Sequence, residues 1–175
     1  MQCTISHQLP TDASTFWENV FFDQEFTQRM YSDVLGMGDV ETLEQIGSTR
    51  KQMTRRLRCS KGMEMFAALA KKMGAGFSIT EEGTFSVDKR GRGLWNFEVI
   101  PSTYAEKVSL TGVLGVERIK PGWIESKFVI DCNVKIIGLG NVVERLMARA
   151  VNENFRKVAV FAESFIEEKG YHQAA

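Results

Sequence analysis

The chain has 175 residues, 43% hydrophobic and 25% charged, so it falls within the range of ordinary globular proteins and can bury roughly 70% of its unfolded surface. Lysines plus arginines number 22, as do aspartates plus glutamates, and the net charge is zero. This balance argues against the global basic field that nucleic-acid binding requires, although residues 50–58 contain a local basic cluster. We therefore expect one domain over residues 1–175 and no nucleic-acid partner.

The cysteines and the N-terminus indicate a cytoplasmic protein. Cys3, Cys59 and Cys132 are widely separated, odd in number and without CxxC spacing, which is typical of reduced thiols. The first residues have neither the basic region nor the apolar core of a signal peptide. No apolar run reaches the ~18 residues of a membrane-spanning helix. Any membrane contact is therefore expected to be transient and confined to the surface.

The first elements in chain order are a half-buried strand and two short helices. Alternation of apolar and polar residues from Cys3 to Leu9 predicts a strand that ends at Pro10. Thr11 or Asp12 can cap the first helix, and Asp23 or Gln24 begins the second. The side chains at helical spacing are Phe16, Trp17, Val20 and Phe21 in the first helix, and Phe26, Met30, Tyr31 and Val34 in the second.

Six further strands are predicted, at residues 40–46, 51–59, 77–88, 94–101, 107–117 and 123–136, and Pro121-Gly122 forms the last hairpin turn. Residues 63–73 interrupt them with a segment of high helix propensity. In the last two strands one alternating set is apolar and is expected to face the core: Val108, Leu110, Gly112, Leu114, Val116, Ile124, Phe128, Ile130, Cys132, Val134 and Ile136.

Asn141 begins an uninterrupted helical pattern that runs to about Lys169. Its apolar residues recur at steps of three and four: Val143, Leu146, Met147, Ala150, Val151, Phe155, Val158, Ala162 and Phe165. At ~1.5 Å per residue such a helix is roughly 43 Å long and crosses a small domain. A ladder of strands followed by this helix predicts a sheet that grips a helix and encloses space.

This order of elements resembles the helix-grip fold of the START-like superfamily, also described as Bet v 1-like, polyketide cyclase-like or SRPBCC. Residues 134–144 (VKIIGLGNVVE) resemble a strand-to-helix junction of its DUF2505-like branch, in which a Pro commonly occupies the position of Ile137. Residues 16–26 (FWENVFFDQEF) resemble the opening of the sterol-binding VASt domains.

The resemblance implies an α+β fold in which a curved antiparallel sheet of about seven strands wraps around the C-terminal helix. Superfamily members bind sterols, phospholipids, polyketides or plant hormones in a tunnel between sheet and helix, and a minority catalyse cyclisation or dehydration there. The two short helices and residues 63–73 would form the mouth of this tunnel, with Met63, Met65 and Met73 either as an adaptable gate or as plain helix packing.

The residues expected to line the tunnel are mostly aromatic and aliphatic, as small-molecule sites are. They are Arg55, Leu57, Trp95, Phe97, Leu110, Phe128, Ile130, Met147, Val151, Phe155 and Val158. Trp123 and Phe165 belong to the same aromatic set. Ordinary core packing is the alternative for all of these apolar residues.

Two polar residues share the apolar faces of their strands. Arg55 alternates with Met53, Leu57 and Cys59, and a buried guanidinium needs an anionic partner. That partner is either a ligand carboxylate or phosphate, or an internal acid such as Glu41, Glu44 or Glu81. His7 is either a general acid/base in the tunnel or a core histidine bonded to backbone.

Other catalytic patterns are missing from the sequence, which has no GxSxG, P-loop, HExxH or GxGxxG after a strand. We therefore predict no catalytic residue, no metal and no cofactor. The expected function is non-enzymatic binding of a hydrophobic, lipid-like small molecule in the tunnel. The alternative is a cyclase or dehydratase acting on a polyketide-like or other apolar substrate in the same tunnel, with His7 or a tunnel acid as its base.

Overall fold

The computed structural model of the protein describes residues 2–60, 78–103, 105–135 and 140–172, without the side chains of residues 140–144 and 146–148. The predicted helix at residues 63–73 and the strand-to-helix junction at residues 136–139 therefore lie outside the described residues, as does Phe77.

Seven strands form one antiparallel sheet. They are β1 (Gln2–Leu9), β2 (Val40–Ser48), β3 (Gln52–Cys59), β4 (Ile79–Val87), β5 (Gly93–Pro101), β6 (Val108–Lys120) and β7 (Trp123–Val134). The strand order is β1-β7-β6-β5-β4-β3-β2, so β2 to β7 form a continuous meander and β1 closes onto its far side. This arrangement places the chain's first strand beside its last.

The central strands bury alternate residues, as the sequence predicts. In β5, Trp95, Phe97 and Val99 are buried while Asn96 and Glu98 are exposed. In β3, Arg55, Leu57 and Cys59 share the buried face. Because the side-chain period of a strand is two, this alternation gives the sheet one wet face and one face that is turned to the interior.

Two short helical segments follow β1. Helix α1 (Ala13–Thr15) continues as a π-helical stretch (Phe16–Phe21), and helix α2 (Gln24–Arg29) continues as a second one (Met30–Val34). Asp12 caps α1 by accepting a hydrogen bond from the Thr15 amide at 3.0 Å, and Asp23 caps α2 by accepting one from the Phe26 amide at 2.8 Å. The predicted helices and one alternative for each cap are thus confirmed.

Helix α3 (Gly140–Lys169) packs against β1, β7 and the two π-helical stretches. It ends at Gly170, whose φ of 68° lies in the left-handed region that favours glycine. The amides of Gly170 and Tyr171 donate to the carbonyls of Glu167 and Ile166, which forms a Schellman motif. The hydroxyl of Thr11 then donates to the Tyr171 carbonyl at 2.9 Å, so the end of α3 is tied to the loop after β1.

The predicted fold class is confirmed: a seven-stranded antiparallel sheet, a long C-terminal helix and two short helices after the first strand. The strand ends differ by a few residues, and the largest difference is in β6, which continues to Lys120 instead of stopping at Glu117. Charged side chains interrupt the apolar alternation after Val116, but the backbone pairing with β7 continues to the hairpin turn. No helix in the described ranges is both long and apolar enough to cross a membrane. That residues 1–175 form one domain, and that the protein is cytoplasmic, stay predictions.

Candidate ligand cavity

A cavity of about 160 Å³ lies between the buried face of the sheet and the three helices. Its wall is almost wholly apolar. The lining residues are Leu9, Phe16, Phe21, Phe26, Met30, Tyr31, Leu35, Met37, Ile79, Glu81, Trp95, Phe97, Val99, Leu110, Leu114, Ser126, Phe128, Ile130, Val151, Asn154, Phe155, Val158, Ala159 and Ala162. Every layer of the fold therefore contributes to the wall.

Two glycines let aromatic rings lie against the floor of the cavity. Phe97 in β5 pairs with Gly83 in β4 on one side and with Gly112 in β6 on the other. A Cβ at Gly112 would lie 2.3 Å from the Phe97 ring, and a Cβ at Gly83 would lie 2.4 Å from the Trp95 ring. Because no real Cβ tolerates such distances, glycine at these positions makes the room that the two rings occupy.

Three rings in series connect the floor to the helix. Phe97 stacks on Phe128 of β7, with ring centroids 5.3 Å apart, and Phe128 contacts Phe155 of α3 at 5.1 Å. Aromatic pairs at these separations add to the stabilisation that burial provides. This series fixes the distance between sheet and helix on one side of the cavity.

The main polar group in the wall is the carboxylate of Glu81, which faces inward from β4 between Ile79 and Gly83. The phenol of Tyr31 donates a hydrogen bond to its Oε2 at 2.5 Å, and Nη2 of Arg55 lies 3.7 Å from its Oε1. The Arg55 and Glu81 side chains are only 1% and 13% exposed. We call Tyr31, Arg55 and Glu81 the buried charge cluster.

Arg55 lies behind the wall rather than on it. Its Nη1 donates to the Phe21 carbonyl at 2.8 Å, and its guanidinium lies over the rings of Phe21 (4.7 Å) and Trp95 (5.2 Å). The guanidinium also pairs with Glu81, and Arg55 is not among the residues that line the cavity. That Arg55 binds a ligand stays a prediction. Of the two alternatives for its partner, the structure supplies the internal acid.

Several buried donors next to the cavity have no hydrogen-bond partner among the described protein atoms. They are the indole N–H groups of Trp17 and Trp95, and Nε and Nη2 of Arg55. Buried donors are nearly always satisfied in folded proteins, so each unpaired one calls for an explanation. The Trp95 ring belongs to the cavity wall, while its indole nitrogen is buried in the protein.

Burial raises the pKa of two weak acids in this region. Desolvation raises the pKa of Tyr31 well above its ordinary value, and the Glu81 carboxylate adds to the shift. Desolvation and Glu81 also raise the pKa of Cys59 to about 12. Tyr31 is therefore a hydrogen-bond donor at physiological pH, and Cys59 is an inert buried thiol.

Most residues predicted to line a tunnel are in the cavity wall. Those placed there are Trp95, Phe97, Leu110, Phe128, Ile130, Val151, Phe155 and Val158. Leu57 is fully buried behind the wall with Arg55, and the side chain of Met147 lies outside the described set. His7 is half-buried on edge strand β1 and is not part of the wall. Its cross-strand partner in β7, Ser126, is a wall residue. Whether any of these residues binds a ligand stays a prediction.

The two short helical segments and the residue after them contribute to the wall, which the sequence does not predict. They supply Phe16, Phe21, Phe26, Met30, Tyr31 and Leu35. Helical spacing predicts the segments themselves, and the resemblance to the superfamily places them at the mouth of the tunnel rather than in its wall. Ser126 and Glu81 were also missed, although each occupies an inward position in the period-two alternation of its strand. Asn154 gave no signal, because a polar residue on a long helix is usually solvated.

Solved structures of the same architecture match nearly the whole chain. Protein Ms6760 from Mycobacterium smegmatis matches with a TM-score of 0.59 at 9% sequence identity, over 96% of this chain and 92% of that chain. A START superfamily protein from the same organism matches with a TM-score of 0.55 at 11% identity, over 95% and 97%. The Zhui aromatase/cyclase from Streptomyces sp. R1128 matches with a TM-score of 0.55 at 14% identity, over 93% of each chain.

Identities this low establish the fold alone, and that fold is the helix-grip fold of the START-like superfamily. In sequence, the family model described as "Protein of unknown function (DUF2505)" matches residues 4–166. The chain therefore belongs to the DUF2505 family, which confirms the resemblance drawn from the strand-to-helix junction. No curated protein matches the sequence.

Proposed function

We propose that the protein binds a compact, lipid-like apolar molecule with one neutral polar group, and that it does so without converting the molecule chemically. The observation that carries this proposal is the cavity, whose apolar wall is interrupted by few polar side chains: Tyr31, Glu81, Ser126 and Asn154. Small-molecule sites have this composition. Removing apolar ligand surface from water at roughly 25 cal/mol per Å² would supply most of the affinity.

The volume sets the size of the ligand. An engineered apolar cavity of about 150 Å³ accommodates benzene, whereas sites for drug-sized ligands begin near roughly 300 Å³. At about 160 Å³ the cavity suits a single ring or a short alkyl chain. A sterol or a long acyl chain would require several wall side chains to move.

The buried charge cluster favours a neutral polar group over an anion. Glu81 presents a carboxylate to the cavity, and Arg55 is held behind it. A ligand carboxylate or phosphate would therefore meet a like charge first. A hydroxyl can instead donate a hydrogen bond to the Glu81 carboxylate.

Three probes of one shape test this reading: toluene, p-cresol and 4-methylbenzoate, measured by isothermal titration calorimetry. We expect p-cresol to bind more tightly than toluene, and 4-methylbenzoate to bind least. Ala159→Phe fills the cavity from α3 and should abolish binding, whereas Val160→Phe adds the same ring one residue away at a position that is 61% exposed. Melting temperatures of both variants would verify that they are folded.

The proposal fails if none of the probes binds, or if Ala159→Phe and Val160→Phe bind p-cresol equally. If 4-methylbenzoate bound most tightly, the proposed preference for a neutral polar group would be wrong, although the proposal of ligand binding would stand. Native mass spectrometry of gently purified protein provides an independent test, since a natural ligand would appear as a discrete added mass.

Cyclase or dehydratase chemistry is the second candidate, because a solved structure with this fold is an aromatase/cyclase and because Glu81 and Tyr31 reach the cavity. His7 is not in the wall, so the base would have to be Glu81. Its Oε2 accepts a hydrogen bond from the Tyr31 phenol, and its Oε1 pairs with Arg55. A carboxylate held in this way is better suited to binding a ligand hydroxyl than to abstracting a proton. If the co-purifying molecule lost the mass of one water on incubation with wild-type protein but not with Glu81→Gln, the enzyme reading would replace ours.

A further inference from the structure

Three hairpin turns lie at one end of the sheet. They connect β2 to β3, β4 to β5 and β6 to β7, and in an antiparallel meander such alternate turns share an edge. The register places Gln52, Ser86, Leu94 and Gly115 side by side, and the β6–β7 hairpin continues beyond this level to Lys120 and Trp123. With strands ~4.8 Å apart, the three turns span roughly 20 Å. We call residues 49–51, 87–92 and 118–123 the hairpin rim.

The hairpin rim is strongly basic although the chain as a whole is neutral. It contains seven basic residues and one acid, Asp88. The basic residues are Arg50, Lys51, Lys89, Arg90, Arg92, Arg118 and Lys120. Asp88 and the adjacent Glu117 both pair with Arg92, and none of the other six forms an ion pair with a described residue. Among the residues that the structure describes, one further acid is bonded to the rim: Glu18 accepts a hydrogen bond from the Thr49 hydroxyl.

Exposed apolar side chains lie between these cations. Val87 is 41% exposed and Ile119 is 43% exposed, and both are among the few large apolar residues left in water. Trp123 is half-buried, with the Lys120 ammonium 4.5 Å from its ring centroid. Cations on long alkyl stems beside aliphatic and indole side chains match the boundary between lipid headgroups and acyl chains.

We propose that the hairpin rim binds the surface of an anionic lipid bilayer. Basic residues near such a surface each contribute to attraction, and shallow insertion of Ile119 and Val87 would add apolar burial. Nucleic acid would satisfy the cations but leave the aliphatic side chains exposed, so the bilayer is the better match. The rim is separated from the cavity by buried Trp17 and Phe85, both packed against Gly93. The proposal therefore does not depend on a cavity ligand.

Co-sedimentation with vesicles tests the proposal. We expect the protein to bind vesicles of phosphatidylcholine with 30% phosphatidylglycerol at low salt and to dissociate from them in 500 mM NaCl. It should not bind vesicles of pure phosphatidylcholine. Reversing one charge on each turn, in the triple variant R50E/R90E/R118E, should weaken binding at least tenfold. The matched control R145E/R156E/K157E makes the same charge change on exposed positions of α3 and should alter binding by less than about twofold.

The apolar contribution has its own variant. Ile119→Ser keeps every cation, so it should weaken vesicle binding several-fold while leaving the salt dependence intact. Equal losses in the rim and α3 triple variants would overturn the proposal, because net charge alone would then explain the binding. The proposal would also fail if no vesicle bound, or if a 20-base-pair DNA duplex bound more tightly than the vesicles and was insensitive to Ile119→Ser. Circular dichroism and melting temperatures confirm that each variant is folded.

Discussion

The phenol of Tyr31 donates a hydrogen bond of 2.5 Å to the carboxylate of Glu81 and so joins the π-helical stretch after α2 to strand β4 at the wall of the cavity. The two residues are fifty positions apart in the chain. Behind them Arg55 neutralises the carboxylate from β3. The helical segment is thus fixed to the sheet by a hydrogen bond to a buried carboxylate. Removing the partner or the charge of that carboxylate should therefore change the stability of the wall.

Arg55→Met should be strongly destabilising. It leaves the Glu81 carboxylate buried without its cation, and breaking a buried pair on one side costs about 3–5 kcal/mol. The double variant Arg55→Met/Glu81→Gln removes both charges and should recover much of that loss. Urea unfolding of wild type, the two single variants and the double variant completes the cycle.

The matched control for this cycle is the next residue in the strand. Arg56 pairs with Glu82 at 3.9 Å, but both side chains are about half exposed. Surface pairs of this kind contribute at most about 1 kcal/mol, so Arg56→Met should change the free energy of unfolding little. Similar losses for Arg55→Met and Arg56→Met would show that burial of the cluster has no energetic consequence.

Gly112→Ala should destabilise the protein by about 1–3 kcal/mol, the usual cost of overpacking a core. The added methyl would lie 2.3 Å from the Phe97 ring, so the ring must leave its position on the floor of the cavity. Gly115→Ala in the same strand faces only a flexible Leu94 methyl at 3.2 Å and should change stability by no more than about 0.5 kcal/mol. Chemical denaturation of both variants would measure the difference.

Stability should fall as the pH rises from 9 toward 12. An unfolded thiol loses its proton near pH 9, whereas folded Cys59 holds it up to about 12. Between these values the folded state binds more protons, so each pH unit favours unfolding by at most about 1.4 kcal/mol from this group. Tyr31, whose pKa is also raised, acts in the same direction at higher pH.

Cys59→Ala isolates that contribution. Below pH 8 the thiol is protonated in both folded and unfolded protein, so the variant and wild type should differ by a constant amount. Above pH 9 the stability of wild type should fall more steeply. Parallel curves of unfolding free energy from pH 8 to pH 11, measured with guanidinium chloride, would contradict the raised pKa.

The sequence predicted the fold better than the site, and the physical reason is visible in particular residues. Alternation in β5 and β7 and the helical stripe of α3 follow from local periodicity, which burial on one face imposes. The pairing of Arg55 with Glu81 depends instead on a diagonal contact between two strands whose register no local pattern determines. Likewise, the Phe97 ring needs the room left by Gly112 in β6, and the Trp95 ring needs the room left by Gly83 in β4. Cavity volume depends on many such non-local contacts.

Enlarging the cavity should change which probe the protein prefers. Phe128→Ala removes the middle ring of the series from Phe97 to Phe155 and should cost about 3–5 kcal/mol of stability. It should also bring 2-naphthol, which has two fused rings, from weak binding to an affinity at least equal to that of p-cresol. Phe165→Ala deletes a buried ring that is outside the cavity wall, so it should lower stability without altering the preference. If titration calorimetry gave both variants the wild-type preference for p-cresol, ligand binding in this cavity would be refuted, because its volume would have no influence on what binds.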